Sequence, residues 1–170
     1  MNLIAPKPAL AYGFVNETIG THGSRTIMLK ELRLLFAACP RPATYQQFRT
    51  AVISDNAVLK RTDATRRESF RRLRELYGLD ETILVFRGLR DLWEQEATSQ
   101  PLLAMLCAIA RDALFRSTAP LILTTPIAEP VTPQMLENAV KESYPQQYNP
   151  TMLANVGRHS ASSWQQSGHL

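Results

Sequence analysis

Seven basic residues between Lys60 and Arg74 are the groups best suited to chemistry: Lys60, Arg61, Arg66, Arg67, Arg71, Arg72 and Arg74. Within that stretch only Asp63 and Glu68 oppose them. Seven basic groups against two acidic ones give +5, more than the +4 of the whole chain. A guanidinium presents a rigid fork of donors that matches phosphate oxygens. A basic stripe on a near-neutral body points to an anionic partner that touches one face. A surface helix that arginines merely keep in solution gives the same pattern, so both readings stand at this point.

Little else in the chain supports catalysis. His22, His159 and His169 lie outside any HxxxH or HExxH spacing, so no metal site is expected. There is no GxSxG, GxxxxGK[ST] or GxGxxG, and with only 7 glycines a phosphate-cradling nucleotide loop is not expected. Asp112 and Glu129 are lone carboxylates with nothing in the sequence to pair them. The expectation is a binding protein with no catalytic residue, no metal, no cofactor and no small-molecule substrate. Cys39 and Cys107 sit in apolar surroundings outside any CxxC. They read as buried reduced thiols, and the spacing leaves a disulfide open.

Those basic residues need a scaffold. Hydrophobic residues make up 45% of the chain, enough for a real core. Pro6, Pro8 and Gly13 interrupt the first twenty residues, which hold no secretory apolar run. The longest apolar run, Leu102 to Ala110, is about half of what a membrane span needs. A cytoplasmic protein with no membrane partner is expected.

The hydrophobic periodicity is helical throughout. Residues 1–24 read as an irregular arm, packed on the body through Tyr12, Phe14 and Ile19. A first helix is expected from Ser24 to Ala38, with Ser24 as cap and Pro40 and Pro42 as its stop. A second is expected from Thr44 to Ser54, followed by an Asp55-Asn56 turn.

The third, from Thr62 to Tyr77, carries the basic residues. Thr62 caps it, Asp63 suits its positive end, and Gly78 closes it. At 100° per residue, Phe70, Leu73 and Tyr77 share one arc of about 60°. Arg67, Arg71 and Arg74 share another beside it. Three such helices joined by short turns match a helix-turn-helix module. Thr65, Arg66 and Arg67 would then face the bases or phosphates, with Arg71 and Arg74 on the backbone.

Further along, Asp80-Glu81-Thr82 starts a helix that reaches Trp93. Pro101 starts another whose body, Leu102 to Phe115, is apolar all round and so belongs at the centre. Trp93 and Met105 are core candidates. Arg111, Asp112 and Arg116 cluster at the end of that helix, as a buried ion pair fixing the fold or as part of a site. Residues 117–133 hold four prolines and read as a linker, in which Leu121-Ile122-Leu123 pairs as a short strand or plugs a groove. The last forty residues read as a second small module. One helix runs from Thr132-Pro133 to Tyr144, and another starts at Asn149-Pro150. A turn at Gly157 and a last helix over Ser160–Ser167, anchored by Trp164, complete it. Gly168-His169-Leu170 looks like the exit into a β-wing. Ser160, Ser162, Ser163 and Gln166 are the polar candidates for a second contact surface.

The expected organisation is therefore all-α, a compact multi-helix bundle. An arm (1–24) precedes an N-terminal helix-turn-helix-like module (25–79). A central buried helical pair (80–117) and a Pro-rich linker (118–131) lead to a C-terminal winged helix-turn-helix-like module (132–170).

Several segments, in order, resemble a known family. They are Asp55-Asn56-Ala57-Val58-Leu59-Lys60-Arg61-Thr62 with Ala64-Thr65-Arg66, then Leu73-Arg74-Glu75-Leu76-Tyr77. Pro101-Leu102-Leu103-Ala104 and Ala110-Arg111-Asp112 follow, and Ser162-Ser163-Trp164-Gln165-Gln166-Ser167-Gly168-His169-Leu170 comes last. Across residues 25–170 the chain resembles BrxA, the small helical component of bacteriophage-exclusion (BREX) defence systems. The resemblance implies a non-enzymatic DNA-binding accessory protein that acts beside a methyltransferase and an ATPase. Members of that family continue past the Gly-His-Leu step, so the expectation is a C-terminal module that lacks the wing and contributes less to DNA contact than the resemblance implies. Two rival readings remain. One is an adaptor whose arginine helix docks an acidic patch on a partner subunit. The other is an RNA-binding helical bundle of the antitermination-factor type, which calls for exposed aromatics among the basic residues.

Overall fold

A computed structural model describes residues 4–18 and 20–170. The described residues are all-helical, with no strand among them. In chain order the helices are α1 (Lys7–Leu10), α2 (Leu29–Ala38), α3 (Tyr45–Ile53), α4 (Asp63–Tyr77) and α5 (Leu84–Trp93). They continue with α6 (Gln100–Arg111), α7 (Ala113–Arg116), α8 (Ala119–Thr124), α9 (Pro133–Ser143) and α10 (Pro150–Gln166). One apolar cluster extends from Ile27 to Trp164 and includes Trp93 and Met105. A small second cluster, Leu114, Val140, Leu153 and Val156, seals α9 and α10 onto α7. The expected modules therefore share a core. Cys39 and Cys107 are buried free thiols, and burial pushes Cys107 up to about 12.

α3 and α4 form where local chemistry places them. Each starts with a reciprocal capping box, Thr44 with Gln47 and Thr62 with Thr65. Gly78, at φ +87°, closes α4. The start of α2 is different. Ser24 does not cap it, because the backbone of Ile27 is committed elsewhere. The Ile27 N–H donates to Ser163 Oγ at 3.0 Å, and the Ile27 carbonyl accepts from the Tyr77 hydroxyl. The helix begins only at Leu29.

The long central helix breaks at Asp112, which adopts an extended conformation. Its Oδ1 accepts from the Leu114 and Phe115 N–H groups at 3.0 and 3.2 Å, capping α7. The Leu121-Ile122-Leu123 stretch is helical, as part of α8, with Pro120 near its start. No turn interrupts α10 at Gly157. A Cβ there would lie 2.5 Å from the Pro133 carbonyl oxygen, so glycine is required by the close approach of α9. The C-terminal part is thus a two-helix hairpin instead of a trihelical module. Gly168, at φ +82°, follows the end of α10, and the His169 N–H returns to the Trp164 carbonyl at 3.0 Å.

The arm is held by polar contacts. Tyr12 is half-exposed, Phe14 is partly buried, and Ile19 lies outside the described residues. Val15 N–H donates to Ala110 O, and Val85 N–H donates to Tyr12 O, each at 3.0 Å. Arg111 donates to the carbonyls of Glu75 and Gly13. Arg116 donates to those of Ile109, Ala110 and Val15. Both guanidinium groups tie the arm to α6.

Candidate nucleic-acid interface

α4 turns Ser69, Phe70, Leu73, Leu76 and Tyr77 into the core. Beside that buried face it carries the expected stripe, and Arg61, Arg67, Arg71 and Arg74 are exposed. Most of the basic groups nevertheless have partners. Arg67 pairs with Asp63 at 2.6 Å, four residues earlier. Arg71 and Arg72 both pair with Glu68 at 2.8 Å, and both also lie against Glu75. Lys60 reaches across to Glu31 at 2.6 Å. Arg66 donates to the Ile53 carbonyl at 2.9 Å and so braces the loop before α4. Arg74 lies 3.4 Å from the Tyr45 hydroxyl. Among the described residues, Arg61 and Arg74 are the two exposed stripe members with no ion pair.

The pairing shows in the carboxylates. The hydrogen bond from Arg71, opposed by partial burial and helped by Arg72, holds Glu68 down to about 2. The hydrogen bond from Arg67 lowers Asp63. Thr65 is exposed, but its hydroxyl is engaged in the capping box with Thr62. The connection from α3 to α4 covers 54–62, longer than the roughly 3–4-residue turn of a helix-turn-helix.

The second expected surface is corrected. Ser160 and Ser163 are fully buried and cannot meet a nucleic acid in this structure. Ser162 is partly buried and accepts from the exposed Gln166 side chain at 3.2 Å. Ser160 and Ser163 face inward because α10 runs unbroken and packs that side on the body of the protein.

No family model matches this chain, and neither a curated protein nor a solved structure is significantly similar to it.

One polar cluster escaped the sequence. His22 sits in a short 3₁₀ turn of the arm, Thr21–Gly23, and is fully buried. Its Nδ1 lies 2.8 Å from Asp112 Oδ2, which also accepts the His22 backbone N–H at 3.0 Å. Its Nε2 lies 2.9 Å from Ser163 Oγ. The ring stacks on Phe115 at 4.1 Å. Burial opposes ionisation of Asp112, but the charge and hydrogen bonds of His22 outweigh it, with help from the Phe115 N–H, and the carboxyl lies below its ordinary value. Gly20 is needed beside it, since a Cβ there would lie 2.2 Å from Asp112 Oδ1. Thr21 adds a bond to Glu75 of α4 at 2.9 Å.

The connectivity of Ser163, His22 and Asp112 is that of a nucleophile, a base and an orienting carboxylate. The surroundings do not suit that use. Ser163 Oγ–H donates to the His159 carbonyl at 2.8 Å, and the oxygen accepts from Ile27 N–H. Both Ser163 and His22 are at 0% exposure, so no substrate atom reaches the oxygen in this structure. The cluster clamps the arm between α7 and α10. The sequence signalled Asp112 only as a member of a cluster with Arg111 and Arg116, and its buried ion-pair partner is His22.

Proposed function

We propose that the chain is a non-enzymatic DNA-binding accessory protein of a prokaryotic phage-defence system of the BREX type. It works in the cytoplasm beside methyltransferase and ATPase subunits, and α4 lies along duplex DNA. The observation that carries this reading is the exposed stripe of Arg67, Arg71 and Arg74 on α4, with exposed Arg61 just before the helix. The carboxylates that hold Arg67 and Arg71 sit in exposed pairs, each worth about 0–1 kcal/mol. A backbone phosphate replaces such a partner at little cost. The outer face of α4 has no Asn or Gln, so affinity exceeds sequence discrimination.

A protein adaptor is the second reading. Asp63, Glu68 and Glu75 interleave with the arginines, a mixed-sign surface that also fits a protein partner. For RNA, Phe70 and Tyr77 are buried and offer no stacking face.

Fluorescence anisotropy with duplex DNA across a salt series tests the reading. Two phosphate contacts, from Arg61 and Arg74 alone, give a log–log slope of about −2; five contacts, with the ion pairs opened, give about −4 to −5. Arg61→Ala/Arg74→Ala abolishes binding in the first case. Arg67→Ala/Arg71→Ala weakens it only in the second. A wild-type protein that fails to bind at low salt sinks the reading and leaves the adaptor.

A further inference from the structure

The connection between α3 and α4 carries one apolar side chain into solvent beside cations. Leu59 is 71% exposed. Among the described residues it is the one large apolar side chain left exposed between positions 46 and 83. Val58 before it is buried, and Ala57 is partly buried. Lys60 and the exposed Arg61 follow it, and α4 with its arginine stripe begins at Asp63.

Hydrogen bonds fix this loop on both sides of Leu59. The Ala57 N–H donates to the Ala51 carbonyl at 2.8 Å, and the Leu59 N–H to the Asn56 carbonyl at 2.9 Å. The Lys60 N–H donates to Asn56 Oδ1 at 2.7 Å. Lys60 Nζ holds Glu31, and Arg66 holds the Ile53 carbonyl. Within these ties Leu59 sits at φ +56°, where glycine is at ease and a leucine is strained. Core packing does not call for a leucine there, since most of its surface meets solvent. A residue kept in a strained conformation without a packing role points to a contact made outside the chain.

We infer that Leu59 is a wedge that enters between two base pairs of duplex DNA while Arg61 holds a neighbouring phosphate; this rests on the DNA-binding reading above. A lone branched side chain is too little for the apolar centre of a protein interface, but it is what an opened base step accepts. The charge beside it agrees, because the chain that follows Leu59 is cationic and the DNA backbone is anionic. Two residues of chain span at most about 7 Å, roughly two base-pair rises of about 3.4 Å. Insertion by Leu59 and phosphate contact by Arg61 therefore fall within the same one or two steps. Insertion unstacks the step and kinks the duplex by about 20–90°. The protein then favours DNA that opens easily, such as pyrimidine–purine steps or a mismatch, without reading a base edge. The outer face of α4, which has no Asn or Gln, supplies no such preference.

A short duplex with a donor dye at one end and an acceptor at the other tests this, with binding read by anisotropy and bending by energy transfer. Wild type raises energy transfer, and it binds a duplex with a central mismatch about tenfold tighter than a matched one. Leu59→Gly is the main variant. Glycine accepts φ +56° and the side chain is exposed, so the fold is kept, which circular dichroism verifies. This variant still binds, with the salt slope of wild type, because a leucine releases no counterions. It raises no energy transfer and loses the mismatch preference. Leu59→Met, which keeps a long apolar side chain, retains both. A wild type that binds with a steep salt slope but does not bend the duplex overturns the wedge and leaves DNA binding standing. A Leu59→Gly protein that bends DNA as wild type does also overturns it, and assigns Leu59 to a protein partner. A wild type that does not bind the duplex removes the DNA reading and the wedge with it.

Discussion

The outer face of α4 and the buried arm clamp use the same kinds of charged group to opposite ends. On α4, three carboxylates and the arginines beside them meet at 2.6–3.8 Å in partly exposed positions. In the clamp, one carboxylate and one imidazole meet at 2.8 Å with almost no exposure. Solvent already satisfies the first set, so each pair adds little and is easily exchanged. The second set has no solvent to fall back on. Removing one partner strands the other, which costs far more than the pair is worth when intact. Exchangeable charge suits a surface that must receive a new partner, and committed charge suits a structural clamp.

The contrast is most open to attack at His22. His22→Ala leaves the Asp112 carboxylate buried without its ring partner and removes the stack on Phe115. A loss of about 3–5 kcal/mol is expected in urea unfolding. Adding Asp112→Ala should recover part of it, with a coupling of about 1 kcal/mol or more. Strict additivity would show that the pair does not act as a unit.

Ser163→Ala should cost about 1–3 kcal/mol, because the Ile27 N–H and a ring nitrogen of His22 lose a shared partner. Ser162→Ala, one position away on the outer side, should change little.

Acid should find the clamp before it finds α4. His159, which binds the His22 carbonyl, has its pKa lowered mainly by burial. Asp112 is also lowered. For both groups the unfolded chain takes up protons more readily. Stability is therefore full above the unfolded pKa and falls as pH drops toward the folded value. The loss starts below about 6.5 for His159 and continues below about 3.9 for Asp112. Thermal unfolding followed from pH 7 to 3 should show both stages, and Asp112→Asn should flatten the lower one.

The smallest effect belongs to the surface. Glu68→Gln removes a carboxylate held down to about 2, yet it should change stability by only about 0–1 kcal/mol. If the proposed DNA contact is right, the same change tightens binding by freeing Arg71 and Arg72. Weaker binding would reverse the logic of the comparison.

What the sequence disclosed follows the same division. α3 and α4 are legible because Thr44-Gln47 and Thr62-Thr65 set their starts within three residues. The pairing of Arg67 with Asp63, and of Arg71 and Arg72 with Glu68, is also written in helical spacing. A stretch closed at Arg74 overstates the free charge, because Glu75 is the next residue and serves both Arg71 and Arg72. Lys60 with Glu31 could not be read, since only the packing of α2 beside the loop before α4 joins them. The unbroken α10 was hidden by Gly157, whose role is set by Pro133 on another helix. His22 was the least legible, because its partners Asp112 and Ser163 lie 90 and 141 positions away.

That last separation bears on the order of events during synthesis. His22 leaves the ribosome 141 residues before Ser163. Until α10 emerges, the arm has only half of its clamp, and the Ile27 N–H that helps to set the start of α2 lacks its acceptor. A domain whose early segment waits for a late one gains little from folding piece by piece during translation, and closes in one late step.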